Sequence, residues 1–436
     1  MLNIKTVTVI GANGTMGCKV AGIFASFGGA KVYLVSRKKE KSVAAIDRAA
    51  KSVRADSIKA NMIPADYLEL DKCISKSDLI FESTSEDMSV KSEIIKDIAC
   101  HLSSDCVVCS GTSGLSITRL AECLPEKHRS HFFGVHMFNP PYNMTLCELT
   151  STKYSDESIL KELKEYLSNV LFRTVVDVKD SPAFLANRIG FQFINEALQY
   201  AERYKDNGGI DYIDAILGPY TGRAMAPLAT SDFVGLDVHK AIVDNLYNNT
   251  NDYANDSFKL PEFVDKLVKE GRLGKKSKEG LYKSVDYGSG IKKQLVYDIK
   301  TGIYRDIIDY NFPFSIQMVS FLKTGNYEDA LRSLITNHSQ EAEICLGFLL
   351  RYIIYSLYTS KIVGYSDIAA DDVMATGFNW CPPLALLQGL YSITDCDALI
   401  KERITGSALN TYLDIASRKG NAKSSYDYRP FFRALK

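Results

Sequence analysis

Through the first third of the chain, short apolar runs alternate with longer stretches of mixed polarity. Val7-Thr-Val-Ile10 leads into glycines and then into a helical pattern that reaches Phe27. Lys31-Val-Tyr-Leu-Val35 follows as a second strand, and the charged stretch from 38 to about 59 reads as a long helix. Asp78-Leu-Ile-Phe81, Cys106-Val-Val-Cys109 and Phe132-Phe-Gly-Val-His136 are further apolar runs, with a helix over about 88–102 between the first two. Apolar runs separated by helices predict a parallel sheet covered on both faces.

Past about Asp180 the period changes. Phe184, Ile189, Phe193 and Leu198 recur at helical spacing, and strand runs largely disappear. A second helical region begins near Glu341, after a polar, Tyr-rich and Gly-rich connection at roughly 282–326. Within that connection, the segment from Asp298 to Tyr304 reads as a turn or hairpin. The two helical regions look like diverged copies of one unit. Asp214-Ala-Ile-Leu-Gly218 precedes Ala226-Pro227-Leu228-Ala229, and Asp371-Asp372 with Gly377 precedes Pro382-Pro383-Leu384-Ala385. In each, an Asp is expected to cap a helix, a glycine to end it and a proline to open the next. The predicted fold is therefore an α/β Rossmann-type N-terminal domain followed by two mainly α-helical domains related by duplication. The expected boundaries are 1–180, 181–284, a connecting segment 285–340, and 341–436.

Composition narrows the partners. Lys plus Arg equals Asp plus Glu, 52 against 52 in 436 residues, so no global field recruits nucleic acid or membrane. No run of consecutive apolar residues reaches the roughly 20 needed to span a bilayer. The N-terminus enters a strand pattern at once, which leaves no room for a signal peptide and favours a cytoplasmic location. The ten cysteines lie mostly inside apolar segments. Cys106 and Cys109 have metal or redox spacing but no second pair nearby, so they read as core residues of a reducing compartment, and no metal is expected.

Gly11-Ala-Asn13-Gly14-Thr15-Met16-Gly17 follows the first strand and opens the first helix. Such a turn offers free backbone N–H groups and a helix N-terminus to a pyrophosphate. Asn13 adds one residue to the usual spacing of the first two glycines. At the end of the second strand, where an NAD enzyme places a carboxylate, stand Ser36, Arg37, Lys38 and Lys39. A hydroxyl and adjacent cations suit a 2′-phosphate, so the residues favour NADP(H) over NAD(H). His136 ends an apolar strand in Gly134-Val-His136-Met-Phe-Asn139-Pro140, and Glu148 lies in the next apolar run. A His–Glu pair makes a usable general base.

These segments together resemble the L-3-hydroxyacyl-CoA dehydrogenase family over residues 1 to about 284. The family's serine motif matches Gly111-Thr-Ser113-Gly114-Leu115, its histidine motif matches 134–140, its glutamate falls on Glu148, and its Asn-Arg motif matches Asp180-Ser-Pro-Ala-Phe-Leu-Ala-Asn187-Arg188. Glu82-Ser-Thr-Ser-Glu86, with Lys91, resembles the stretch at the nicotinamide end of the cofactor. The segments 225–228, 232–237 and 273–282 resemble motifs of the family's helical domain.

The resemblance implies an oxidoreductase of fatty acid metabolism that interconverts an L-3-hydroxyacyl-CoA and a 3-oxoacyl-CoA. It makes Ser113, His136, Glu148 and Asn187 catalytic. It assigns Gly11, Asn13, Gly14, Thr15, Met16, Gly17, Ser36, Arg37, Glu86, Lys91 and Asn139 to the cofactor. Coenzyme A, as part of the substrate, comes from the resemblance alone. Lys275, Lys276 and Lys278 could meet its phosphates or form a solvated turn.

Several positions depart from the family pattern. Gly111 and Gly114 replace polar residues beside the serine. Ala183 replaces a glycine, a mild change if its φ is negative. Phe348-Leu-Leu-Arg351 stands where a second Asn-Arg pair would be, so the second copy reads as structural. Single-copy relatives dimerise through this domain, so the chain is expected to be either a monomer with an internal pseudo-dimer or a homodimer. Two other readings use the same cofactor site: a dehydrogenase of a free hydroxy acid or sugar acid, and a non-catalytic dinucleotide-binding sensor. Thioester turnover separates the first, and the joint presence of four catalytic residue types argues against the second.

Overall fold

A computed structural model describes residues 2–286, 292–417 and 422–435. The glycines of the connection at 288 and 290 lie outside the described residues. The chain divides into two compact units. One holds residues 1–185 with 363–365, and the other holds 186–362 with 366–436.

The first unit is built on one eight-stranded sheet. Its strands are β1 (Thr6–Ile10), β2 (Lys31–Ser36), β3 (Met62–Asp66), β4 (Leu79–Glu82), β5 (Val107–Ser110), β6 (Phe132–Met137), β7 (Leu146–Thr150) and β8 (Thr174–Val178), in the order β3-β2-β1-β4-β5-β6-β7-β8. The central strands are buried on both faces, which is why their sequences run apolar without alternation. The parallel sheet expected from the sequence extends from β3 to β6, but β7 runs antiparallel to β6. The chain returns from Met137 to Leu146 without a helix, and a parallel neighbour would have required a crossover. β3 carries Pro64 and lies at an edge of the sheet, where a missing N–H costs no ladder bond.

Two helices pack near this sheet's first strands: α1 (Thr15–Ser26) and α2 (Lys39–Val53). α2 is shorter than the charge pattern suggests. Arg54 takes a left-handed conformation at its C-cap, and its N–H closes onto Ala50 and Lys51.

The second unit is mainly helical. It opens with the helix Ala186–Arg203, contains the longer helix Gln340–Ile362, and includes a three-stranded sheet of β9 (Tyr282–Asp286), β10 (Lys292–Tyr297) and β11 (Tyr304–Asp306). The Asp298 carboxylate accepts the Lys300 and Thr301 N–H groups to form the turn between β10 and β11. The connection is not merely a linker. Helices Pro313–Lys323 and Tyr327–Ile335 precede the second long helix. By length and composition Gln340–Ile362 could cross a membrane, yet 78% of its most apolar window is buried inside the unit. Its hydropathy is that of a core helix.

The two aspartates expected to cap their own helices do something else. Asp214 lies inside the helix Ile210–Ile216, and its carboxylate accepts the Leu228 and Ala229 N–H groups at 2.8 and 2.9 Å. It therefore caps the following helix, Pro227–Val234. Asp371 does the same for Pro383–Tyr391 through the Leu384 N–H at 2.7 Å.

Candidate active site

β1, β4, β5 and β6 are parallel neighbours, so the loops that follow them emerge along one edge of the sheet. β1 pairs with β2 on one side and β4 on the other, which opens a crevice at its C-terminal end. The glycine turn lies there. Gly11 has φ +80°, and a Cβ on it would collide with the Ser83 carbonyl. A Cβ on Gly17 would collide with the Gly11 carbonyl. Backbone packs on backbone at both glycines. Gly14 is the N-cap without a side-chain cap, so Thr15, Met16 and Gly17 begin the helix with N–H groups that a phosphate can take up. The added Asn13 is secured, because Arg48 of α2 donates to its carbonyl at 2.8 Å.

Ser36 ends β2 fully buried, and its hydroxyl has no hydrogen-bond partner among the described residues. Arg37 beside it is exposed. An orphaned hydroxyl next in the chain to an exposed arginine fits the ribose end of a dinucleotide. These residues and the open glycine turn suit such a cofactor.

The next two loops are locked by buried charge. Glu82 ends β4 with its side chain fully buried, and Lys91 lies 3.0 Å away, 1% exposed. Burial alone would raise the Glu82 carboxyl, but the Lys91 ammonium and hydrogen bonds from Thr84 and Ser110 take it below the ordinary range. Lys91 also approaches Glu86 at 3.5 Å. Glu86 in turn accepts the Ser113 N–H at 2.7 Å and the Thr112 hydroxyl. Lys91, expected to contact the cofactor, is thus committed to carboxylates of the protein. Through Glu86 it anchors the loop that carries Ser113. Gly111 leaves no room for a side chain because the Phe81 ring fills that space.

His136 lies on β6 directly opposite Glu148 on β7, and antiparallel register brings the two side chains together. His136 Nδ1 is 2.7 Å from Glu148 Oε2, and Glu148 Oε1 accepts the Leu185 N–H at 2.9 Å. Both residues are buried. With a carboxylate on Nδ1, that nitrogen carries the hydrogen, and Nε2 is the atom that can take up or release a proton. The imidazole packs against Phe138 at 4.4 Å and Phe184 at 5.7 Å between ring centres.

The turn carrying Phe184 corrects the expectation for Ala183. Its φ is +59°, and Phe184 follows at +51°. Two successive left-handed residues that are not glycine cost about 1–2 kcal/mol each. They place Phe184 on His136 and the Leu185 N–H on Glu148, and Asp180 just before them caps the helix Ile117–Ala121 through the Ile117 and Thr118 N–H groups.

Asn139 is bound by Lys19 of α1 at 2.6 Å. Asn187 is buried in the first turn of the helix Ala186–Arg203 and belongs to the helical unit. Glu82 is the member of the network that sequence reasoning left out of the site. Its signal was an acidic residue closing an apolar strand. Cys109 is a buried residue of β5 and Cys106 is buried just before it, and no group of three metal-binding side chains occurs among the described residues.

Residues 6–181 match the family model described as "3-hydroxyacyl-CoA dehydrogenase, NAD binding domain". Residues 184–284 match "3-hydroxyacyl-CoA dehydrogenase, C-terminal domain". The "Hydroxyacyl-coenzyme A dehydrogenase, mitochondrial" of Sus scrofa is 31% identical over 296 residues, covering 64% of this chain and 91% of that one. A "Probable 3-hydroxyacyl-CoA dehydrogenase" of Bacillus subtilis is 34% identical over 211 residues, which is 48% of this chain but only 26% of that longer protein. Among solved structures, the 3-hydroxybutyryl-CoA dehydrogenase of Escherichia coli covers 96% of this chain and 98% of its own with a TM-score of 0.69; at 21% identity it shows a shared fold. The matched domain is described as NAD binding, which gives no support to the expected preference for NADP(H).

Proposed function

The chain belongs to the 3-hydroxyacyl-CoA dehydrogenase family and is a nicotinamide-dependent dehydrogenase, and from that premise we propose how its residues divide the work. The reaction interconverts an L-3-hydroxyacyl-CoA and a 3-oxoacyl-CoA. The bound dinucleotide supplies the acceptor or donor of hydride. His136 Nε2 accepts the 3-hydroxyl proton during oxidation and returns it during reduction. Glu148 stabilises the resulting imidazolium and fixes the ring. Proton transfer of this kind contributes about 10²- to 10⁴-fold. Ser113 hydrogen-bonds the substrate oxygen, and Asn187 polarises the carbonyl. The observation that carries this reading is the buried His136–Glu148 pair at the sheet edge where the glycine turn opens.

The glycine turn, Ser36 and Arg37 would hold the dinucleotide, with Glu86 and Asn139 near its nicotinamide end. Ser36 and Arg37 favour NADP(H) in this chain, since a carboxylate that would repel a 2′-phosphate is missing there. Rates of acetoacetyl-CoA reduction with NADH and NADPH, measured side by side, test both points. We expect turnover with both and a higher kcat/KM with NADPH. A higher value with NADH would overturn the cofactor preference, and no thioester turnover with either would overturn the substrate class.

Residues 181–284 and 341–436 are read as two copies of one helical unit, joined by 285–340. The matched aspartate caps support this: Asp214 and Asp371 each cap the next, proline-opened helix, and each also accepts a side-chain hydroxyl, from Tyr282 and Ser424. The helices Ala186–Arg203 and Gln340–Ile362 also meet near their middles. Phe193 and Phe348 lie 5.1 Å apart, Arg188 reaches Tyr355, and Arg351 pairs with Glu196 in the opposite sense. Such reciprocal contacts are what a two-fold interface inside one chain would give. Light scattering should return the 48.5 kDa of one chain, and twice that mass would favour a homodimer.

A further inference from the structure

A cavity of about 740 Å³ in the helical unit is not accounted for by the dehydrogenase chemistry. Four lysines line it: Lys275 and Lys278 from the loop that closes the family domain, and Lys292 and Lys293 from β10. β10 lies beyond residue 284, where the match to the family model ends. Half of the cluster, Lys292 and Lys293, therefore lies outside the matched domain. Met225 and Phe233 supply an apolar wall, and Phe233 is 51% exposed. Lys275 sits over the Phe233 ring at 4.8 Å.

Two carboxylates, Asp232 and Asp286, also reach the lining. Asp232 is engaged by the Leu281 N–H at 2.6 Å, and Lys293 pairs with Asp306 at 2.6 Å. Positive charge still exceeds negative around the cavity. Lys278 closes the short helical turn Lys275–Ser277 as its left-handed C-cap, φ +68°, which fixes where its side chain leaves the loop. The volume suits a nucleotide-sized ligand. Clustered ammonium groups suit phosphates, and a half-exposed phenyl wall suits a flat base.

We propose that this cavity binds a phosphorylated adenosine nucleotide, either the 3′-phospho-ADP end of the acyl-CoA substrate or a free nucleotide. The first source rests on the thioester reading given above; the site itself does not. Lys278 and Lys292 contact the phosphates, and the base lies along Phe233 and Met225.

Calorimetric titration of the full chain with 3′,5′-ADP tests the site, with NADH kept saturating so that the dinucleotide turn is filled. The wild type should bind, and the double variant Lys278→Ala, Lys292→Ala should bind at least about tenfold more weakly. Lys300→Ala, a control that breaks the pair with Asp206 instead, should bind as the wild type does. No binding by the wild type, or equal binding by the double variant, would overturn the proposal.

Initial rates then identify the source. If the ligand is the substrate's nucleotide end, the double variant raises KM for acetoacetyl-CoA at unchanged kcat and leaves acetoacetyl-pantetheine kinetics untouched. If KM is unchanged for both while 3′,5′-ADP binding is lost, the site serves a free nucleotide, and ADP should show the same loss. Failure of the dehydrogenase reading would appear separately, as absent turnover of acetoacetyl-pantetheine by the wild type.

Discussion

Buried charge is handled differently at the sheet edge of the first unit and in the middle of the helical unit. At the sheet edge, the His136 ring faces Glu148 and the Lys91 ammonium faces Glu82, so both of these buried side chains meet a carboxylate. In the helical core, Arg223 is fully buried against the faces of Phe193, Trp380 and Tyr352, at 3.7, 4.8 and 5.3 Å, and it donates to the carbonyl and hydroxyl of Thr221. Burial pulls its guanidinium down to about 10, so it stays charged at neutral pH. His239 nearby in sequence is buried too, and burial pushes its imidazole down to about 3. Asn195 gives both its amide hydrogens to the Ser257 and Lys259 carbonyls, so its oxygen must accept from His239 Nε2. That histidine is neutral. Other arginines of the helical unit, Arg188 and Arg351, do meet carboxylates. The difference is local: at Lys91 a carboxylate meets the buried cation and ties down a loop, whereas at Arg223 aromatic faces take the carboxylate's place.

Substituting methionine at the two cations breaks the comparison most sharply. Lys91→Met leaves Glu82 buried without its cation, and we expect a loss of about 3–5 kcal/mol in urea unfolding. A change below about 1 kcal/mol would show that the pair is not the anchor described here.

The neutral histidine comes next. The unfolded chain binds a proton at His239 below about pH 6.5, whereas the folded protein resists it down to about 3. Stability from this residue is therefore complete above pH 6.5 and declines as the pH falls toward 3. His239→Gln should flatten that decline by up to a few kcal/mol between about pH 6.5 and 4. An unchanged slope would mean the imidazole is not excluded from protonation.

Arg223→Met should alter stability by no more than about 1 kcal/mol in either direction, because relief of desolvation offsets the missing cation–π attraction. Fluorescence of Trp380, the single tryptophan, reports this unfolding directly. A loss as large as that at Lys91 would erase the distinction.

The smallest effect is at Ala183. Glycine there removes left-handed strain of about 1–2 kcal/mol but adds about 0.5–1 kcal/mol of backbone freedom in the unfolded chain. Ala183→Gly should be neutral to slightly stabilising and leave kcat intact. Destabilisation by more than about 1 kcal/mol would contradict the positive φ.

Much of the sheet was legible because its central strands are buried on both faces and read as unbroken apolar runs. β3 was not, since Pro64 hides an edge strand. β8 was missed as well. The His136–Glu148 pair could be suspected from two residues on adjacent apolar runs, but only the antiparallel turn of β7 makes them face each other. The role of Lys91 was hidden, because a motif gives spacing along the chain and not the burial that turns a surface lysine into an anchor. Asp214 and Asp371 were recognised as caps and assigned to the wrong helices, since an aspartate can reach the start of a helix distant in sequence. The left-handed pair Ala183–Phe184 carries no glycine to announce it.

In the proposed mechanism, proton transfer depends on His136. The decisive measurement is kcat for acetoacetyl-CoA reduction by His136→Ala, taken with the affinity of the same variant for the dinucleotide. A fall in kcat of about 10²- to 10⁴-fold with affinity unchanged is the predicted result. Turnover near the wild-type rate would contradict it.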